Sequence, residues 1–177
     1  MLTSQLTPKR STHLPKASPQ GAGGARGRAP RASERYCEGM PEEENLAIVR
    51  TLFGAFFRRD QEVMNALLAP DVVWDAERMV MVPDLAGTYH GPEGTAAFWG
   101  GWLRPWRDLR FDFELRAKGD HVIALIRNQR QWGRHSGIEA ELPPYAWVYE
   151  VREGRIARGT FFADQGEALR SIGLDEA

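Results

Sequence analysis

Only a few residues in this sequence have the type and spacing to do chemistry. Asp75 closes the branched and aromatic run Val72-Val73-Trp74. A carboxylate there serves either as a general base or as a surface group of a strand. Arg127 and Gln129 stand two apart in a strand-like stretch, which puts both on one face together with Ile123 and Leu125. If that face is buried, the arginine needs an acidic or carbonyl partner, from a ligand carboxylate or from the protein itself. Gln129 can orient a water but cannot take its proton. Trp74, Trp99, Trp102, Trp106 and Trp147 are either core or the wall of an aromatic cavity, because indole rings give large contact area and stack on planar ligands.

Several chemistries are excluded by what is missing. His90, His121 and His135 stand apart, in neither H-x-H nor H-E-x-x-H spacing, and Cys37 is the only cysteine, so no metal site and no disulfide is expected. Trp99-Gly100-Gly101-Trp102 falls inside a helical pattern, not after a strand, so it is no phosphate loop and no cofactor is expected. Asp164-Gln165-Gly166-Glu167 has capping-box form, which explains Asp164 without catalysis. The net charge of −1 divides unevenly: residues 1–40 carry seven Lys or Arg against two Glu, and the remainder carries sixteen against twenty-two acids. An acidic body makes nucleic acid an unsuitable partner. No apolar run approaches the ~20 residues that span a bilayer, and residues 1–40 lack the apolar segment of a secretory signal, so a reducing, cytoplasmic setting without membrane contact is expected.

The elements that must position these residues follow from periodicity. Residues 1–40 are rich in Gly, Pro, Ala, Ser and Arg and read either as a disordered basic leader or as sequence upstream of a true start at Met40. One domain is expected over 41–177. It opens with a helix carrying Leu46, Val49, Leu52, Phe53, Phe56 and Phe57 on one side, with acids at its start and Arg58-Arg59 at its end. Asp60 caps a second helix, and Val72-Val73-Trp74 reads as a strand. A third helix begins at Pro92, preceded by His90 as a capping candidate, and frays at Pro105 with Phe98, Trp99, Trp102, Leu103 and Trp106 in phase. Strands are expected over 109–115, 121–132, 145–151 and 155–163, then a short helix ending near Gly173. Four strands after three helices imply an α+β fold, an antiparallel sheet with helices packed on one face.

This order of elements resembles the SnoaL-like branch of the nuclear transport factor 2-like superfamily. Trp74 after Asp71-Val72-Val73, the turn Gly87-Thr88-Tyr89-His90-Gly91-Pro92-Glu93-Gly94, the stretch from Tyr145 to Asp164 with Arg152-Glu153-Gly154-Arg155-Ile156, and Ala168-Leu169 all look like that branch. The resemblance covers about residues 42–174 and implies a cone-shaped barrel: a curved antiparallel sheet, three helices from the N-terminal half and a short C-terminal helix. It also implies a homodimer. Fold alone does not fix function here.

The chemistry of relatives is carried over only where the groups exist. A ketosteroid-isomerase-like reaction places a tyrosine on the first helix as part of its oxyanion site, where this chain has Phe53, Phe56 and Phe57, leaving Asp75 near the base position. For a SnoaL-like cyclase, alignment on the Gly154 turn puts Trp147 at the histidine position and Phe161 at the acid position. A limonene-epoxide-hydrolase-like triad keeps Arg127 but has Gln129 and Phe161 in place of its acids. An indole and a phenyl ring cannot transfer protons. The resulting expectation is a small-molecule-binding protein whose pocket, involving Trp74, Trp99, Arg127, Gln129, Trp147 and Phe161, takes a hydrophobic or aromatic small molecule. The alternatives are an isomerase or cyclase using Asp75 as base, and a dimeric interaction module without turnover.

Overall fold

The computed structural model describes residues 42–174. The reading of residues 1–40, as a leader or as sequence before a start at Met40, lies outside the described residues.

Helix α1 (Glu42–Arg58) forms as its apolar spacing predicts, with Glu42, Glu43 and Glu44 in the first turn and Arg58 in the last, each charge complementing the helix dipole. Val49, Leu52, Phe53 and Phe56 are buried along one stripe, and burial of each such side chain contributes about 1.5–3 kcal/mol. Arg59, at φ 56°, ends the helix in the left-handed region. Asp60 then caps α2 (Gln61–Ala66), its carboxylate accepting from Val63 N at 3.1 Å.

Strand β1 (Leu68–Asp75) is followed by a single 3-10 turn over Pro83–Leu85, a short strand β2 (Thr88–His90) and helix α3 (Gly91–Leu103). Pro92 lies in the first turn of α3 as expected, but the His90 side chain makes no capping hydrogen bond, so its expected role is not the one it plays. Leu85 packs so closely on α3 that a Cβ at Gly101 would lie 2.7 Å from its Cδ2, which accounts for a glycine inside that helix. Trp106 belongs to the next strand and not to α3, because Pro105 ends the helix before it.

The rest of the chain is β3 (Trp106–Lys118), β4 (His121–Gly133), β5 (Glu139–Leu142), β6 (Tyr145–Arg152), β7 (Arg155–Phe162) and helix α4 (Gln165–Ser171). The sheet has seven strands in the order β2-β1-β7-β6-β4-β3, with β5 also on β4, and all pairs are antiparallel except β1 with β7. It curves around one large core that holds Trp74, Phe98, Trp147, Tyr149 and Phe161 and is closed by α1, α2 and α3. On the reverse face Ile123, Leu125, Ala146, Val148 and Phe162 form a smaller cluster beneath Ala168 and Leu169 of α4. The Asp164 cap accepts from Glu167 N, as the capping-box pattern predicts, while the Glu167 side chain reaches out to pair with Arg78. The result is the cone-shaped α+β fold, its inner face apolar and its outer face partly covered by α4.

Candidate ligand-binding site

The inside of the cone is built from alternate residues of the strands and the apolar stripes of the helices. On β6, Tyr145, Trp147 and Tyr149 point inward while Ala146 and Val148 point to the reverse face, as strand alternation requires. Trp147 is 2% exposed and lies at the centre of the ring cluster. Its ring centroid is 4.9 Å from Trp74, 5.7 Å from Phe98, 6.0 Å from Trp99 and 5.5 Å from Phe161. Offset and edge-on arrangements of this kind suit the aromatic quadrupole.

Beside this cluster is a small cavity. Phe53 and Phe56 of α1, Met64 of α2, Trp99 and Trp102 of α3, and Phe111 of β3 form much of its wall, and Gln129, Tyr145, Trp147 and Tyr149 complete the sheet side. The space between these side chains is narrow, with room for roughly one water at a time. No charged side chain and no histidine belongs to the lining. Two of its polar groups are paired, the Tyr145 hydroxyl donating to Gln129 Oε1 at 2.5 Å, and Gln129 Nε2 donates onward to Gln131 Oε1 outside the lining at 3.2 Å. Burial pushes the Tyr145 phenol well above its usual range, and burial together with the neighbouring Tyr145 does the same to Tyr149. Both remain protonated donors at any ordinary pH.

The expected site residues are distributed over three places. Trp99, Gln129 and Trp147 line the cavity. Trp74 and Phe161, both fully buried, stand behind Trp147 as its supports. Arg127 and Asp75 are elsewhere. Arg127 was expected to share a face with Gln129, and the structure corrects this: Asn128 between them adopts φ 52°, and the β3–β4 register shifts between Arg110 and Asp112. The bulge adds one residue and reverses the alternation, so Gln129 turns inward, 1% exposed, while Arg127 remains outside near Glu114 at 3.8 Å, its side chain half exposed. The cause is on the partner strand. Pairing of β4 with β6 ends at Ile126 and Tyr145, pairing with β5 begins at Gln129 and Leu142, and Pro143-Pro144 lies between. Two prolines supply no N–H to continue the ladder.

Asp75 is on the outer face, where its carboxylate accepts from Glu77 N at 3.2 Å and pairs with Arg158 at 3.3 Å. Asp75 and Arg127 therefore do not meet in the cavity with Gln129. Among the described residues no group of three or more His, Cys, Asp or Glu side chains could hold a metal. Tyr145 and Tyr149 line the cavity from the aromatic strand β6, and behind them Gln165 Nε2 donates to the carbonyls of Ile126 and Tyr145 at 3.0 and 2.9 Å. Their signal was the inward alternation of β6 and, for Gln165, nothing local.

A cone of this topology defines a nuclear transport factor 2-like protein. Within that superfamily, the sequence model of the SnoaL-like domain matches residues 49–159, and the chain belongs to this family. Among solved structures, it is similar to a nuclear transport factor 2-like protein of unknown function from Burkholderia pseudomallei K96243, at 28% identity over 73% of this chain and 98% of that one, TM-score 0.60. It is also similar to a nuclear transport factor 2-like protein from Burkholderia thailandensis E264, at 27% identity over 70% and 91%, TM-score 0.58. TerC, crystallised with polyporic acid, shares the fold at 23% identity over 73% and 97%, TM-score 0.58. No curated protein matches the chain in sequence. No helix among the described residues is long and apolar enough to cross a membrane.

Proposed function

We propose that this chain binds an apolar or aromatic small molecule inside the cone and lacks the acid–base turnover of its catalytic relatives. The observation that carries the reading is the composition of the cavity wall: aromatic rings, aliphatic side chains and one neutral Tyr–Gln pair, with no carboxylate or imidazole to move a proton. Small-molecule binding is common in this fold. The resemblance that places Trp147 and Phe161 at the histidine and acid positions of the cyclases points the same way.

A homodimer belongs to the same proposal. Helix α4 covers only part of the outer sheet face, and a shallow groove lined by His121, Val148, Glu150, Arg158, Thr160 and Phe162 stays open beside it. Sedimentation at micromolar concentration tests this part, and a monomer removes it without touching the ligand reading.

The test of the main reading is a thermal-shift screen of the full chain with hydrophobic and polyketide-like compounds. Stabilisation that rises with ligand concentration is expected, since a ligand that binds only the folded state raises the unfolding temperature. No shift with any compound overturns it.

A further inference from the structure

Strand β3 ends the sheet, and among the described residues it pairs only with β4. Its other edge is open along a strand of 13 residues, and such an edge is a row of backbone donors and acceptors ready for another strand. Near its start the Arg107 carbonyl accepts from Arg59 and the Leu109 N–H donates to Asp108 Oδ1. The stretch from Arg110 onward is left for a partner.

An apolar rim runs beside this edge. The alternation of β3 is unbroken from Asp108 to Lys118, because the extra residue of the bulge lies on β4. Leu109, Phe111, Leu115 and Ala117 therefore face the core. Phe113 shares that face and stacks on Phe53 with centroids 4.6 Å apart, yet it is 37% exposed. Phe57 of α1, with its ring 4.9 Å from that of Phe111, is 45% exposed. Exposed rings next to an unpaired edge mark a surface that a partner covers.

The charges on the other face of β3 say which partner. Arg110 pairs with Asp108 at 3.1 Å and Arg116 with Glu114 at 2.7 Å, one ion pair on each side of Asp112. A second β3 strand, antiparallel and related by a two-fold axis through Asp112, brings Arg110 opposite Glu114 of the other copy and Asp108 opposite Arg116. Each ion pair then meets one of reversed order, and on the apolar face Phe111 meets Phe113 and Leu109 meets Leu115. Sliding the register changes this. An axis through Phe113 sets Arg110 against Arg116 and Asp112 against Glu114, and an axis through Phe111 sets Asp108 against Glu114. The one like-charged contact in the favoured register is between the two Asp112 carboxylates. Each of these already accepts from Asn128 Nδ2 at 2.8 Å and stands across from Arg127 on β4.

We propose that the partner of the β3 edge is a second copy of this chain, the two β3 strands pairing antiparallel about Asp112 so that two sheets join into one and Phe57 and Phe113 of both copies are covered. This surface is separate from the groove beside α4 on the outer face, and it does not depend on the ligand reading.

Sedimentation equilibrium of the full chain, up to about 100 μM, tests it with two charge reversals, Arg110→Glu and Glu114→Arg. Each reversal puts like charges opposite one another twice in a symmetric pair, so each variant alone should associate about tenfold or more weakly than wild type and show half its particle mass. Mixing the two variants in equal amounts should restore the wild-type mass, because Glu at 110 of one copy then faces Arg at 114 of the other and the reverse pair is also opposite in sign. If either variant loses its cooperative unfolding transition, the second exchange, Asp108→Arg mixed with Arg116→Asp, reads the same pairing. A wild-type chain that stays monomeric overturns the proposal. So does wild-type mass in each variant alone, which leaves the outer-face homodimer standing. Halved mass in each variant without recovery in the mixture overturns the register about Asp112.

Discussion

The indole of Trp74 lies directly over Gly159, its pair across the parallel β1–β7 junction, so that a Cβ at position 159 would stand 2.7 Å from Trp74 Cζ3 and 2.8 Å from Cε3. The missing side chain on β7 is the space into which the tryptophan of β1 fits. Trp74 in turn backs Trp147, whose ring faces the cavity, so one glycine fixes the depth of the cavity floor.

Gly159→Ala should therefore destabilise the fold by about 1–3 kcal/mol, the usual cost of overpacking a dense core. The methyl is fixed to the backbone and the indole is wedged among rings, so neither yields easily. Adding Trp74→Phe should return part of the loss, because a smaller ring leaves room for the methyl, and the two changes should be non-additive. Urea denaturation of the single and double variants measures this. A Gly159→Ala protein with an unchanged midpoint contradicts the packing argument.

The second prediction concerns the bulge that separates Arg127 from Gln129. Asn128 holds φ 52° and its Nδ2 donates to Asp112 Oδ2 at 2.8 Å. Asparagine tolerates this conformation better than most residues, and β-branched residues tolerate it poorly. Asn128→Gly should stay near wild-type stability, whereas Asn128→Val should lose about 1–2 kcal/mol. A valine variant as stable as the glycine one would mean that the left-handed residue is not needed to turn Gln129 inward.

Much of the fold could be read from the chain. The helices carried their own start and stop signals, Asp60 and Asp164 acted as caps, and the long strands alternated. What escaped was short or non-local. Strands β2 and β5, three and four residues long, have too little length for a periodic signal. Trp99, Gln129 and Trp147, picked out by residue type, line one cavity, whereas the face expected to join Arg127 to Gln129 is broken. A two-residue period assumes an unbroken ladder, and the break was written in Asn128 and in Pro143-Pro144 of a different strand. No rule of local spacing connects those positions before the sheet is assembled.

A third prediction follows from the two buried phenols. Burial raises the folded-state pKa of Tyr145 and Tyr149 above that of an exposed tyrosine, about 10 in the unfolded chain. A raised folded pKa means that above about pH 10 the unfolded state releases protons that the folded state keeps. The stabilisation is complete below that pH and is lost as pH rises toward the folded values. The chain should thus unfold cooperatively in alkali, with Tyr145 and Tyr149 forming phenolate only on unfolding. Phenolate absorbance and circular dichroism followed together provide the check, and Tyr149→Phe should flatten the alkaline slope. Phenolate absorbance from all four tyrosines developing before any loss of ellipticity would contradict the burial.

The last prediction concerns Gln165, at the start of α4, which ties the reverse face of the sheet to the cavity. Its amide nitrogen donates to the carbonyls of Ile126 and Tyr145, the final residue pair of β4 and β6 before the ladder breaks at the prolines. The same Tyr145 donates its hydroxyl to Gln129 inside the cone. Gln165→Ala removes both donors from a partly buried position and should cost about 1–3 kcal/mol. Gln165→Glu should be worse at neutral pH, since a carboxylate would face two carbonyl oxygens with no proton to offer. Acidification should narrow the gap between the two variants, because a protonated glutamic acid again has one donor. Unfolding curves of both variants at neutral and mildly acidic pH test the ranking. A glutamate variant as stable as wild type at neutral pH would show that the two carbonyls do not need the amide, and the link from α4 through Tyr145 to Gln129 would have to be abandoned.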